Sequence, residues 1–142
     1  MHLAAREGHL DYLHFLLQTY DMDIDMIMND YWTPLFYASL NNHIGVIEFW
    51  IKQNSDVNHV DKFLRSALHW ATKSRAPDAV KLLLNKGTKW DLKDIEGKTP
   101  EDMNQGYEEI TKIYVDFDIQ RKLKIKKQMR DMRLAENSRM KV

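Results

Sequence analysis

The residues best suited to chemistry in this chain are its six histidines, because a neutral imidazole can bind a metal ion or exchange a proton near neutral pH. They are His2, His9, His14, His43, His59 and His69. The His-Glu-x-x-His spacing, which places two zinc ligands on one helix face, does not occur. Cysteine is absent, which excludes a disulfide scaffold, a thiolate metal site and a thiol nucleophile.

Three alternating aspartates, Asp21, Asp23 and Asp25, have the spacing of the first ligands in a calcium-binding loop. Such a loop also needs a glycine at its sixth position and a glutamate at its twelfth position. The glycine is missing, and Trp32 stands at the twelfth position. We therefore predict a solvated hairpin here. The sequence predicts no catalytic residue, no metal site and no cofactor, and it contains no Gly-rich phosphate loop.

One short block recurs three times, with steps of 34 and then 33 residues. Its copies are His2–Ala5, Phe36–Ser39 and His69–Thr72, and an apolar run with helical spacing follows each copy. Thr33 and Ser66 stand where a side-chain oxygen can cap the first helix of a unit. This period predicts stacked units, each with two antiparallel helices and a turn, that share one core.

These units resemble the ankyrin repeat, whose pattern runs Thr-Pro-Leu-His-x-Ala-Ala, Gly-His, Val-Val-x-Leu-Leu-Leu and Gly-Ala-Asp-Val-Asn. In the second unit, positions 33–38 read Thr-Pro-Leu-Phe-Tyr-Ala and positions 46–51 read Val-Ile-Glu-Phe-Trp-Ile. The third unit matches with Ala-Leu-His-Trp-Ala at 67–71 and Val-Lys-Leu-Leu-Leu at 80–84. The resemblance covers residue 2 to about residue 115. It implies an all-α ankyrin-repeat solenoid of helix-turn-helix repeats with hairpin loops.

The resemblance also implies a division of the chain. The units cover about 1–32, 33–65, 66–98 and 99–115, and a basic helix or tail covers 116–142. The first unit starts at its histidine, so we expect a truncated repeat. The last unit opens with Lys-Thr-Pro at 98–100 and then loses its apolar face, which suits a terminal cap. His2 and His69 occupy the position where the family ties neighbouring turns together by hydrogen bonds.

Two turns between helices depart from the Gly-His of the pattern. Asn42 replaces the glycine in the second unit, and Arg75 replaces it in the third unit. Asparagine tolerates a positive φ, whereas arginine is penalised there. We therefore expect Pro77 to rearrange the third turn.

The core is predicted from apolar residues that share one face of each second helix, together with one residue of a first helix. These residues are Leu16, Leu17, Ile47, Ile51, Leu68, Leu83 and Leu84. Because each unit stacks only on its neighbours, the loss of one such side chain should weaken the whole array.

Aromatic residues are the main candidates for binding. First helices line the concave groove in this family, so Tyr37 and Trp70 should lie there about 10 Å apart on adjacent helices. The alternative is that these two rings only fill space between helices. We expect Trp32 and Phe63 to be exposed at hairpin tips, where apolar groups need a partner to cover them. The predicted partner-binding residues are Trp32, Tyr37, Phe63, Arg65, Trp70, Ile95 and Lys98.

The net charge of zero hides a division between an acidic body and a basic tail. From Arg121 onward the sequence has nine basic and two acidic residues, which gives a net charge of +7. The preceding 120 residues therefore carry a net charge of −7. Phe117, Leu123, Met129 and Met132 lie among these charges, and a charged helix is predicted over 116–134. The residues that could contact anions are Arg121, Lys122, Lys124, Lys126, Lys127 and Arg130. The tail is a solvated helix face, a contact for anionic lipid or, as the less favoured alternative, a contact for nucleic acid.

Three functions follow. The first is a non-catalytic protein-binding module for a protein or extended peptide, working as a monomer. The second rests on a weaker resemblance at 66–103 to the ankyrin-bearing Asp-His-His-Cys protein S-acyltransferases, which implies substrate recruitment with Trp70 in the groove. The third is a regulatory protein that acts through its tail. With no signal peptide and no apolar run of about 18 residues, an intracellular, cytoplasmic location is expected, at a membrane in the second case.

Overall fold

The computed structural model describes residues 1–141, and helices dominate this part of the chain. The α-helices are α1 His2–Glu7, α2 Leu10–Thr19, α3 Pro34–Leu40, α4 Ile44–Lys52, α5 Ala67–Lys73, α6 Pro77–Asn85 and α7 Glu108–Met140. Two short 3-10 turns, Asn29–Tyr31 and Glu101–Met103, precede α3 and α7. The only strand-like pairing within the described residues is one isolated bridge between Val60 and Ser66. The all-α prediction is confirmed.

The helices form two layers. Along the inner layer, α1 packs on α3, α3 packs on α5, and α5 packs on the turn Glu101–Met103. Along the outer layer, α2 packs on α4, α4 on α6, and α6 on α7. Each inner helix is joined to the outer helix of the same unit by a tight turn, so the chain is a solenoid of helix pairs, as the repeat pattern predicts.

The three turns inside the units have the same hydrogen bond although their residues differ. The backbone N–H of His9, His43 and Ala76 each donates at 2.9 Å to the carbonyl five residues earlier. The residue before each of these donors has a positive φ, and at Arg75 it is 59°. The expected rearrangement by Pro77 is therefore wrong, because this hydrogen bond holds the turn in its usual form even when arginine occupies the left-handed position.

The two predicted helix caps have different outcomes. The hydroxyl of Thr33 is buried and has no hydrogen-bond partner within the described residues, so that cap does not form. Before α5 a capping box is present: the Ser66 side chain accepts from the backbone N–H of His69, and the backbone N–H of Ser66 donates to Nδ1 of His69 at 3.0 Å. The opposite nitrogen of His69 donates to the carbonyl of Lys98 at 3.2 Å, and His2 bonds the carbonyl of Trp32 in the same way. These histidines tie neighbouring units together.

The core runs through all units and differs in part from the prediction. Ile47, Leu68, Leu83 and Leu84 are buried as expected. The other three predicted core residues, Leu16, Leu17 and Ile51, are only half-buried. Leu13 on α2 and Trp50 on α4, which the prediction did not include, are completely buried. On α2, Leu13 shares a helix face with Leu16 and Leu17 but lies one turn earlier, so full burial is shifted along the helix. On α4, Trp50 lies about 100° around the helix from Ile51, so there the buried face is rotated.

Helix α7 is longer than predicted at both ends. It begins at Glu108 as the outer helix of the last unit, continues through residue 116 without a break, and ends at Met140. Its first turns are anchored by Ile110 and Tyr114, which are buried, and the Tyr114 hydroxyl bonds Thr72 Oγ1 at 2.7 Å. No helix in the described residues is both long and apolar enough to cross a bilayer. Val142, the last residue of the predicted tail, lies outside the described residues.

Candidate protein-binding site

Three aromatic rings, two from the adjacent inner helices α3 and α5 and one from the loop before α3, meet on the inner layer. Trp32, just before α3, has its ring centroid 5.0 Å from that of Tyr37 on α3 and 4.9 Å from that of Trp70 on α5. All three side chains are half-buried. Trp32 thus bridges two rings that were predicted to face the groove separately, and it is not a solvated residue at a hairpin tip as expected. We call Tyr37, Trp32 and Trp70 the aromatic strip.

A buried aspartate fixes the strip to the hairpin between α4 and α5. Asp61 Oδ1 accepts hydrogen bonds from the backbone N–H of Phe63 at 2.8 Å and of Arg65 at 3.0 Å. Its other oxygen, Oδ2, accepts from Nε1 of Trp70 at 2.8 Å. One carboxylate therefore shapes the hairpin and orients the indole of the strip, and both of its oxygens are occupied by internal hydrogen bonds.

The hairpin after α6 contains the same arrangement, with Asp94 in the place of Asp61. Asp94 Oδ1 accepts from the backbone N–H of Glu96 and Lys98, and Oδ2 accepts from Nε of Arg65 at 2.9 Å. Burial opposes ionisation of Asp94, but these hydrogen bonds and the Arg65 charge outweigh it and lower its pKa. Sequence reasoning missed both aspartates, although their spacing of 33 residues, the repeat period itself, is a usable signal.

Arg65 connects the two hairpins rather than standing free. Its side chain is only 11% exposed and forms ion pairs with Asp94 at 2.9 Å and Glu96 at 3.3 Å. Its guanidinium also lies 5.5 Å from the ring centres of both Phe63 and Trp70. Arg65 was predicted to contact a partner directly. In the structure it instead links the two hairpins and positions the rings of Phe63 and Trp70.

The remaining predicted contact residues lie around the strip. Phe63 is half-buried beneath Lys62 and Arg65, and so it is not the exposed tip that was expected. Ile95 is 61% exposed at its hairpin tip, and the Lys98 ammonium pairs with Glu96 at 2.8 Å. Two exposed apolar residues that the sequence did not single out, Tyr31 and Leu64, accompany Ile95 at the tips. Both have a positive φ.

A cation stands beside the strip without an internal countercharge. Lys73, at the end of α5, holds its ammonium 5.0 Å from the ring centre of Trp70. None of the ion pairs within residues 1–141 includes Lys73. Lys73 is therefore a cation next to the strip that no carboxylate neutralises by an ion pair within the described residues.

Three other residues considered as candidates for metal binding or catalysis, His43, His59 and Asp25, form structural hydrogen bonds. His43 and His59 each bond a backbone carbonyl of the preceding unit, those of Arg6 and Tyr31, at 2.7 and 2.9 Å. Asp25 accepts hydrogen bonds from the Ser55 hydroxyl and the backbone N–H of Asp56. Within residues 1–141, no three His, Asp or Glu side chains come together in a group that could hold a metal ion.

The predicted anion contacts of the tail begin at the junction with the repeats. Arg121 is half-buried with its guanidinium 4.6 Å from the ring centre of Trp90. Arg121 and Lys122 both pair with Asp118. The other four, Lys124, Lys126, Lys127 and Arg130, are exposed on α7 and enter none of the ion pairs of the described chain. They lie well away from the aromatic strip in sequence and in the fold.

Paired helices in two layers, with histidines that tie each turn to the next, define a helical repeat protein of the solenoid class. The family model described as ankyrin repeats (3 copies) matches residues 1–100. This chain belongs to the ankyrin-repeat family. Ankyrin repeats are protein–protein interaction modules that bind through extended surfaces.

Several proteins are similar to this chain in sequence. Neurogenic locus notch homolog protein 1 of Mus musculus is 34% identical over 100 residues, which cover 70% of this chain. The Homo sapiens protein of the same name is 33% identical over the same share. Alpha-latrotoxin-Lh1a of Latrodectus hasselti is 41% identical over 59 residues, or 42% of this chain. The aligned part makes up 4% of the length of each of these relatives. The S-acyltransferase interpretation stays a prediction.

Proposed function

We propose that this chain binds an extended segment of a partner protein along the aromatic strip and the adjacent hairpin tips. The observation that carries the proposal is the contact of Tyr37, Trp32 and Trp70 across two units, with each ring half-buried. Rigid Trp and Tyr side chains give a large contact area at a small entropic cost, and they dominate interface energies. A strip spanning two units suits a ligand that runs along the stack.

The charges around the aromatic strip indicate which side chains of a ligand would bind there. Lys73 offers an uncompensated ammonium next to Trp70, whereas the buried carboxylates of Asp61 and Asp94 are already saturated. An acidic side chain in the ligand would meet Lys73, and an apolar neighbour would cover the strip. The preferred partner is therefore an extended peptide with apolar and acidic residues together.

The test is selection of peptides from a random display library with the full chain, followed by affinity measurements on purified variants. Selected peptides should combine an apolar residue with an acidic one. Tyr37→Ala and Lys73→Glu should each weaken binding about tenfold or more, as expected for an interface residue that contributes at least about 1.4 kcal/mol. Thermal unfolding of each variant verifies that the stack is intact.

Two substitutions on the outer layer serve as matched controls. Tyr12→Ala on α2 removes an exposed tyrosine, and Lys81→Glu on α6 makes the same charge change as Lys73→Glu. Both should bind the selected peptides like the parent chain. If the outer-layer variants lost binding and the strip variants kept it, the ligand would lie on the other side of the solenoid and the proposal would be wrong.

A further inference from the structure

The end of α7 projects from the repeats without packing against them. Every residue from Lys122 to Lys141 is exposed. We call residues 122–140 the free arm, and at about 1.5 Å per residue it measures about 28 Å. The side chains that hold α7 to the core are all earlier in the helix: Ile110, Ile113, Tyr114 and Phe117. The free arm is therefore an exposed helix, and its direction is set by the packing of the earlier part of α7 on the repeats.

Basic residues of the arm share one face. Lys122, Lys126, Arg130 and Arg133 follow one another at steps of four, four and three residues. At about 100° per residue these four lie within about 80° of the helix circumference, and we call them the basic stripe. By the same geometry, the stripe lies roughly opposite the face through which Ile110 and Tyr114 join the core. The stripe therefore points away from the repeat stack.

The stripe has little internal compensation. Lys122 pairs with Asp118, but Lys126, Arg130 and Arg133 enter none of the ion pairs within residues 1–141. Asp131 stands on the opposite side of the helix, by the same angular count. Like charges at i,i+4 destabilise a helix. An external anionic surface would reduce this repulsion, because Glu136, which lies near the edge of the stripe, enters none of the ion pairs within residues 1–141.

Exposed apolar side chains border the stripe on both sides. Leu123 and Leu134 lie along one edge, and Ile125, Met129 and Met132 lie along the other. All five are between 44% and 61% exposed. A phosphodiester backbone offers these groups no apolar environment, and no aromatic residue follows Phe117 to stack on bases. At a bilayer, the same groups reach the boundary between headgroups and acyl chains.

From this arrangement we propose that the free arm lies flat on an anionic lipid surface. The basic stripe faces the lipid phosphates and carboxylates, and the bordering apolar side chains enter the headgroup boundary. This surface uses none of the residues of the aromatic strip. Lipid binding by the arm and peptide binding by the repeats are therefore separate properties that can fail independently.

The test is sedimentation of the full chain with vesicles of phosphatidylcholine and phosphatidylserine, compared with phosphatidylcholine alone. The double variant Lys126→Glu, Arg133→Glu changes the stripe. The matched control Lys124→Glu, Arg139→Glu makes the same charge change on the other side of the arm. We expect binding to anionic vesicles only, a loss of about tenfold or more for the stripe variant, and a clearly smaller loss for the control.

A third variant separates lipid from nucleic acid. Leu123→Ser, Met129→Ser should weaken vesicle binding several-fold, and circular dichroism verifies that the helix is retained. Equal losses for the stripe and control variants would show diffuse attraction and overturn the proposal. So would failure to bind anionic vesicles, or tight binding to duplex DNA that the serine substitutions leave unchanged.

Discussion

Three different residues hold the left-handed conformation that ends the inner helix of a unit: Gly8, Asn42 and Arg75. Only the first has no side chain, and the space above it is occupied. A Cβ on Gly8 would lie 2.7 Å from Nδ1 of His43, whose other nitrogen is bonded to the carbonyl of Arg6. Position 8 therefore requires glycine for two reasons: its φ is positive, and the His43 ring occupies the space that a Cβ would need.

Gly8→Ala should therefore destabilise the chain more than a left-handed alanine does elsewhere. Gly87 has the same φ of 78°, and a Cβ added there would meet no atom within 4 Å, so Gly87→Ala reports the backbone penalty alone, about 1 kcal/mol. We expect Gly8→Ala to cost about 1 to 3 kcal/mol more, from the clash with His43. Urea unfolding measures both, and equal costs would contradict the role of His43.

His69 makes stability depend on pH. Its Nδ1 accepts from Ser66 while Nε2 donates to Lys98, so only the neutral ring makes both bonds. Burial lowers its pKa below 6.5, against the opposing hydrogen bond to Lys98. The unfolded chain therefore takes up a proton first as the pH falls, and stability is lost from about pH 6.5 downward.

The free energy of unfolding at about pH 7.5 and about pH 5.5 tests this assignment. It should be smaller at the lower pH, and His69→Gln should reduce the difference between the two values. Some pH dependence will persist in the variant, because burial also lowers the pKa of His2. An unchanged difference in His69→Gln would mean that His69 is not the titrating group.

Among the elements, α6 has the central place in the outer layer, between α4 and α7. Its Leu83 is completely buried. We expect Leu83→Ala to cost about 2 to 5 kcal/mol, since a cavity here weakens contacts on both sides. Leu123→Ala on the free arm removes the same atoms from an exposed side chain and should leave stability within about 0.5 kcal/mol. Denaturant unfolding followed by circular dichroism compares them, and equal effects would contradict the described core.

The hairpins show which element-level features escape the sequence pattern. The helices were predictable because apolar residues recur at fixed positions in each unit. The roles of Trp32 and Arg65 were not, because each depends on a residue about one period away: Trp70 for the tryptophan and Asp94 for the arginine. Such contacts are set by the stacking distance between units, which a reading of each unit alone does not contain.

Over the whole molecule, the repeat class, the helix pairs and the order of the units could be predicted from the sequence. The length of α7 could not, because the pattern changes at about residue 115 from repeat to charged segment while the backbone stays helical. Composition marks where side chains stop facing the core. It does not mark where a helix ends, since the charged residues that follow are themselves good helix formers.

The unbroken course of α7 gives the molecule a mechanical property. Between Tyr107 and Val142 the sequence has neither glycine nor proline, so no flexible joint separates the anchored turns of α7 from its outer end. A surface bound to the outer end of α7 would therefore hold the aromatic strip at a fixed distance and a fixed angle from that surface. Inserting a Gly-Ser joint after Arg121 would free that angle while leaving both surfaces chemically unchanged.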